Sequence, residues 1–176
     1  AGSLSIERNS LDYKQYPISG RKQFLVAQYV TGTEKYIPSP ITDMGSFDRK
    51  VHSWLQMKGE WEQYKTISSH FNLGFMSELV LSSKNLMNNY TASVLQAPAF
   101  TPTPHSQIVF NEAFRANQYV AFGLSPIWKF SKLLHFRLDM YGFAPLYEIK
   151  KEEIWNNDTY TAIPYYGKFL HSFKYM

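Results

Sequence analysis

The stretch that most constrains what this chain can fold into is 133–146, LLHFRLDMYGFAPL. Leu134, Phe136, Leu138 and Met140 fall on one side of an extended backbone, and His135, Arg137, Asp139 and Tyr141 on the other. A period of two is the signature of a β-strand. A strand with histidine, arginine and aspartate in succession on one face needs polar surroundings there. Water around a soluble sheet would serve, and so would the interior of a membrane barrel.

The same alternation recurs along the chain and predicts strands at 4–9, 21–31, 50–64, 69–81, 117–130, 133–146 and 167–176. In 50–64, Val51, Leu55, Met57, Gly59 and Trp61 oppose Lys50, His52, Gln56, Lys58, Glu60 and Glu62. In 69–81, Phe71, Leu73, Phe75, Leu79 and Leu81 oppose His70, Asn72, Gly74, Met76 and Glu78. In 117–130, Val120, Phe122, Leu124, Trp128 and Phe130 oppose Tyr119, Ala121, Gly123 and Ser125. Helical periodicity is hard to find. The expected class is all-β, an antiparallel up-and-down meander of about seven strands, several longer than the roughly 5–6 residues of ordinary sheets.

The links between strands point to where such a sheet sits. Long ones are expected at 32–49, 82–113 and 148–166, tight ones at KTIS and SK, and SLDYKQYPISG is of middling length. In a meander, links of one parity emerge at one end. Tight turns at one end and long loops at the other are the layout of outer-membrane barrels. Several long structureless loops are uncommon in compact soluble domains. The whole of 1–176 is therefore expected to be one segment of a transmembrane β-barrel.

On that reading Lys58, Glu60, Glu62, Glu78, His135 and Arg137 face a polar lumen. On the lipid side, near the midplane, a basic residue would cost about 2–4 kcal/mol and an acidic one somewhat less. Trp61, Tyr64, Trp128 and Phe130, near strand ends, would form an interfacial girdle.

Composition agrees and removes other classes. Aromatic residues make up 17% of the 176 and charged residues only 18%, below the roughly one quarter of soluble domains. The net charge of +4 comes without a basic run, so no nucleic-acid surface is expected. Cysteine is absent, which removes disulfides, thiolate metal sites and cysteine catalysis. No apolar run is long enough for a membrane-spanning helix, and the N-terminal residues lack a leader pattern. Nucleophile elbows, zinc-protease helices and phosphate-binding glycine loops are missing. Glu60 and Glu62, two apart on one face, read as a solvated lumen face and not as a catalytic pair. The expectation is no enzyme, no metal and no cofactor.

One stretch carries more. FNEAFRANQYVAFGL follows the longest link and runs into a strand. Its arginine could simply form a salt bridge near the start of that strand. The segment also resembles the conserved loop of BamA/TamA-type outer-membrane barrels, whose arginine–glycine–aromatic tip folds back into the lumen. Phe114, Arg115, Ala116 and Asn117 stand at the tip, with alanine in place of the glycine. The resemblance implies that Arg115 is received by an aspartate two strands on. RLDMYG supplies Asp139, with Gly142 one residue later than the family pattern. Together with ERNSLDYKQYPISGRKQ, the chain is most similar to the C-terminal barrel of Bacteroidetes patatin-like phospholipases, in which a lipase domain precedes a sixteen-stranded barrel.

The resemblance implies a bacterial outer-membrane location and a role in anchoring an attached periplasmic or secreted domain, or in protein translocation or insertion. The implied partners are the lipid bilayer, the remaining strands and N-terminal domains of a parent chain, and other outer-membrane proteins. Two alternatives stay open, a passive porin-like channel and a soluble β-sandwich binding module.

Overall fold

A computed structural model describes residues 1–35, 49–131, 134–156 and 159–176. Among these residues ten strands form: β1 (Gly2–Asn9), β2 (Gly20–Lys35), β3 (Arg49–Ser68), β4 (Phe71–Ser82), β5 (Tyr119–Lys129), β6 (His135–Arg137), β7 (Met140–Pro145), β8 (Tyr147–Asn156), β9 (Thr159–Phe169) and β10 (Lys174–Tyr175). One helix, α1 (Tyr90–Gln96), and a 3-10 turn (Glu112–Phe114) lie between β4 and β5. The main sheet is an antiparallel meander in the order β1–β2–β3–β4–β5–β7–β10, with β6 also on β5. The chain is all-β in the way the alternation predicts.

Three differences from the sequence reading have local causes. The expected 133–146 strand, whose first residue lies outside the described ones, forms as two pieces, β6 and β7, although Arg137↔Ile127 and Met140↔Leu124 share one register. The gap lies opposite Pro126, which has no N–H to give. Leu138 N still donates to Pro126 O at 3.1 Å. The expected loop at 148–166 is instead mostly the hairpin β8–β9, paired from Tyr147↔Phe169 to Asn156↔Thr159. Of the seventh expected strand, 167–176, Gly167–Phe169 belong to β9, and only Lys174 and Tyr175 pair with β7. Within the expected 32–49 loop, β2 and β3 extend to Lys35 and Arg49, and 36–48 lie outside the described residues.

The sheet's two faces differ in kind. The outer face keeps its apolar side chains bare: Leu25 on β2, Leu55 on β3, Leu79 on β4, Phe122 on β5, and Phe136 at 54% exposure on β6. The inner face is covered by the chain between β4 and β5 and by the 10–19 segment. Phe100 and Phe114, from the β4–β5 connection, pack with Val80, Tyr119, Tyr141 and Phe143. A smaller cluster of Val94, Ala97 and Ile149 joins α1 to β8. No described helix is long and apolar enough to cross a membrane.

Candidate functional site: the charged inner face

Strand parity turns polar side chains of β2 to β6 inward, and cross-strand register joins them into rows. In the middle row, Lys22 Nζ lies 2.6 Å from Glu60, and Lys58 Nζ lies 3.0 Å from Glu78 and 4.0 Å from Glu60. Glu78, 4% exposed, also accepts from the Tyr119 hydroxyl. Charges buried this far persist only when paired and hydrogen-bonded. Here basic and acidic groups alternate, and Tyr119 occupies a further carboxylate lone pair.

Towards the tight-turn end, Arg137 is a hub. Its Nε donates to Asp139 Oδ1 at 2.7 Å, its Nη1 to Pro17 O at 2.8 Å, and its Nη2 to the Tyr64 hydroxyl at 2.9 Å. Nη2 also reaches Ser125 Oγ at 3.3 Å, and Ser125 in turn donates to Asp139. The Tyr64 hydroxyl in turn donates a hydrogen bond to Glu62 at 2.7 Å. The guanidinium lies 5.2 Å from the Tyr64 ring and 5.6 Å from the Tyr16 ring. A planar fork with every edge engaged is a rigid fixture.

At the long-loop end, His52 Nε2 meets Glu34 at 2.9 Å, and Glu34 accepts from Asn88 N. Lys84 Nζ donates to Gln96 O and sits 4.9 Å from the Trp54 ring. Burial lowers the pKa of the Lys84 ammonium to about 8. Between the two ends lies a polar cavity of about 300 Å³. Its walls come from the strands, from Lys14–Pro17 on one side and from Thr101–Pro104 on the other.

The resemblance-based residues are brought together differently from the expectation. Asp139, in the gap between β6 and β7, serves Arg137 two residues before it, and not Arg115. Arg115 instead donates from Nη1 to Leu95 O and Ala97 O, both at 3.1 Å, with its guanidinium 4.8 Å from the Phe110 ring. It ties one limb of the β4–β5 connection to the other, as do the Ala99↔Arg115 bridge and the Ala116 N to Pro98 O bond. Arg115 is extended, with φ −127°, and Ala116 is not among the positive-φ residues. The tip therefore has no need of glycine here. Phe114, Ala116 and Asn117 are buried, and Asn117 donates to the Tyr166 hydroxyl at 2.7 Å. Gly142 has no part in receiving an arginine. A Cβ there would stand 2.6 Å from Phe122 and 2.7 Å from Phe173, so it seats two rings.

Lys58, Glu60, Glu62, Glu78 and Arg137 lie on the inner face, as parity predicts. His135 shares that parity but pairs with Lys129 at the exposed strand end and stands outside the network. Tyr64, expected in an interfacial girdle, is buried on the inner face at 7% exposure. Its position two residues beyond Glu62 already carried that information. Ser125, Asn72 and Lys22 share the inward parity as well. The role of 10–19 had no sequence signal, because a loop that reaches over the sheet to Asn72 and Arg137 leaves no periodicity. Among the described residues no group of three or more histidines and carboxylates could hold a metal.

Comparison with protein-family models, with curated proteins and with solved structures gives no match.

Proposed function

We propose that this chain is wall of a transmembrane β-barrel in a bacterial outer membrane, of the BamA/TamA-like surface-antigen type. Its work there is to anchor an attached domain, with its polar interior filled by its own chain. The carrying observation is the sidedness of the sheet. Charged side chains are gathered and paired on the covered face, while leucines, phenylalanines and tryptophans stand bare on the other. A soluble domain buries its apolar face, and each large apolar side chain left in water forgoes about 1.5–3 kcal/mol. In hydrocarbon the same arrangement costs nothing and the charges must turn inward.

Dimensions support the reading. On β3 the outward apolar residues run from Val51 to Trp61, with Arg49 and Lys65 beyond them. That run is roughly 34 Å along the strand, or roughly 26 Å high at the usual barrel tilt, near the apolar band of known barrels. Ring contacts Phe71–Trp128, Trp128–Phe136 and Trp61–Phe75 form an aromatic band towards the tight-turn end. The outer edge of β1 is unpaired among the described residues, and in lipid it requires further strands as partners.

The test is a gel shift on detergent-extracted outer membranes, probed with an antibody to 82–113. A band that changes mobility on boiling is expected. A soluble band indifferent to heat overturns the proposal. A porin-like reading draws on the polar cavity, and a large steady current through the purified wild-type protein in planar bilayers would favour it.

A further inference from the structure

We infer that Arg137 is a latch holding the 10–19 segment across the tight-turn end of the polar interior, so that this end stays closed until the latch is released. The inference rests on the barrel reading for what is being closed, but the tether itself is independent of it. The segment leaves the sheet at β1, the edge strand, and returns to β2 beside it. A turn serving only that hairpin would stay at the edge. Instead Pro17 O is held by Arg137 of β6 and Ile18 O by Asn72 of β4 at 2.6 Å. The chain has therefore crossed the inner faces of β3 and β4 to reach them. Pro17 is buried in consequence.

Three features mark this as a held conformation. Tyr16 has φ +54°, a left-handed backbone that a bulky residue adopts only when its surroundings enforce it. Gly20 closes the segment at φ +103°, where a Cβ would stand 2.2 Å from Ser10 O. Asp12 Oδ1 accepts from the N–H groups of Tyr13, Ile18 and Ser19, which folds the segment into a unit. The unit meets the wall at Asn72, which holds Ile18 O, and at the guanidinium, which bonds Pro17 O and lies 5.6 Å from the Tyr16 ring. Asp139, Ser125 and Tyr64 aim it. They are positioning residues, bonded to the guanidinium itself. Because Lys14–Pro17 line the polar cavity, their departure would open that cavity at the tight-turn end.

The experiment uses limited trypsin cleavage after Lys14 and single-channel current in planar bilayers, both on the full chain extracted from membranes. The variants are Arg137→Gln, Arg137→Lys, and the double variant Tyr16→Leu with Asn72→Ala, which spares the arginine cluster. Losing a charge-assisted bond should speed cleavage after Lys14 by about tenfold or more in Arg137→Gln, less in Arg137→Lys, and raise the current. A folded Arg137→Gln protein with unchanged cleavage, or with faster cleavage but unchanged current, overturns the latch. If Arg137→Gln loses its heat-shifted band, the double variant decides: faster cleavage and larger current support the latch, and wild-type behaviour overturns it. A wild-type protein that is soluble and indifferent to heat would refute the barrel instead, while the cleavage ratio still reports on the tether.

Discussion

Protonating a single carboxylate should loosen the 10–19 segment. Burial tends to raise Asp12, but the N–H groups of Ser19, Ile18 and Tyr13 and the Ser19 side chain outweigh it and hold the carboxyl below its usual range. A carboxyl lowered on folding stabilises fully above its unfolded value, about 3.9, and loses that contribution as pH falls through the lowered one. Hydrogen exchange at Ile18 and Ser19 should accordingly show protection at pH 6 that weakens in strong acid, beyond the intrinsic trend. Asp12→Asn keeps an acceptor but removes the charge. It should weaken protection at pH 6 and flatten the dependence on acid, and a profile like the wild type's would refute the assignment. At the same scale Arg115 bonds partners other than the expected aspartate. Its side chain closes the β4–β5 connection onto itself, because two carbonyls, Leu95 O and Ala97 O, lie within reach.

Strands of this sheet meet through rings seated on glycines. Tyr64 pairs with Gly74, Tyr141 with Gly123 and Phe122 with Gly142. A Cβ on Gly74 would stand 2.3 Å from the Tyr64 ring, and one on Gly123 2.6 Å from the Tyr141 ring. Each missing side chain lets an aromatic ring lie flat over the neighbouring strand. Gly59, by contrast, would meet only a Leu25 methyl at 3.8 Å. Gly74→Ala should therefore destabilise by about 1–3 kcal/mol through displaced packing, and Gly59→Ala by much less, in urea unfolding from lipid vesicles. Equal effects would mean the rings are not seated as described. Because Tyr64 donates to Glu62 and is held by Arg137, Gly74→Ala should also speed trypsin cleavage after Lys14.

For the molecule as a whole the decisive property is which way each face points. Trp61 and Trp128 lie on the outer face, each 37% exposed. Trp54 lies inward beneath Lys84. With brominated acyl chains in the vesicles, single-tryptophan variants retaining Trp61 or Trp128 should lose most of their emission. A variant retaining only Trp54 should stay bright. Quenching of Trp54 with sparing of the other two would invert the assignment of faces and overturn the membrane reading. Glu78→Ala tests the inner face. With Lys58 left to Glu60 at 4.0 Å and a buried tyrosine hydroxyl bereft of its acceptor, stability should fall by about 1–3 kcal/mol in the same urea measurement. An unchanged midpoint would show that the network contributes nothing.

Alternation by itself determined the class of this protein, the parity of Lys58, Glu60, Glu62, Glu78 and Arg137, and the choice of which residues stay bare. A period of two is a local property, fixed by the backbone before any strand finds its neighbour. Two of its apparent failures, the break opposite Pro126 and the inward Tyr64, were themselves written locally. The 148–166 hairpin was hidden because the alternation in KKEEIWNNDTYTAIPYY is weak. Only the tertiary structure decided that Asp139 belongs to Arg137, that Arg115 belongs to its own loop, and that 10–19 crosses the sheet. Those partners are far apart in sequence, and what selects among several feasible carboxylates and carbonyls is distance in the folded state.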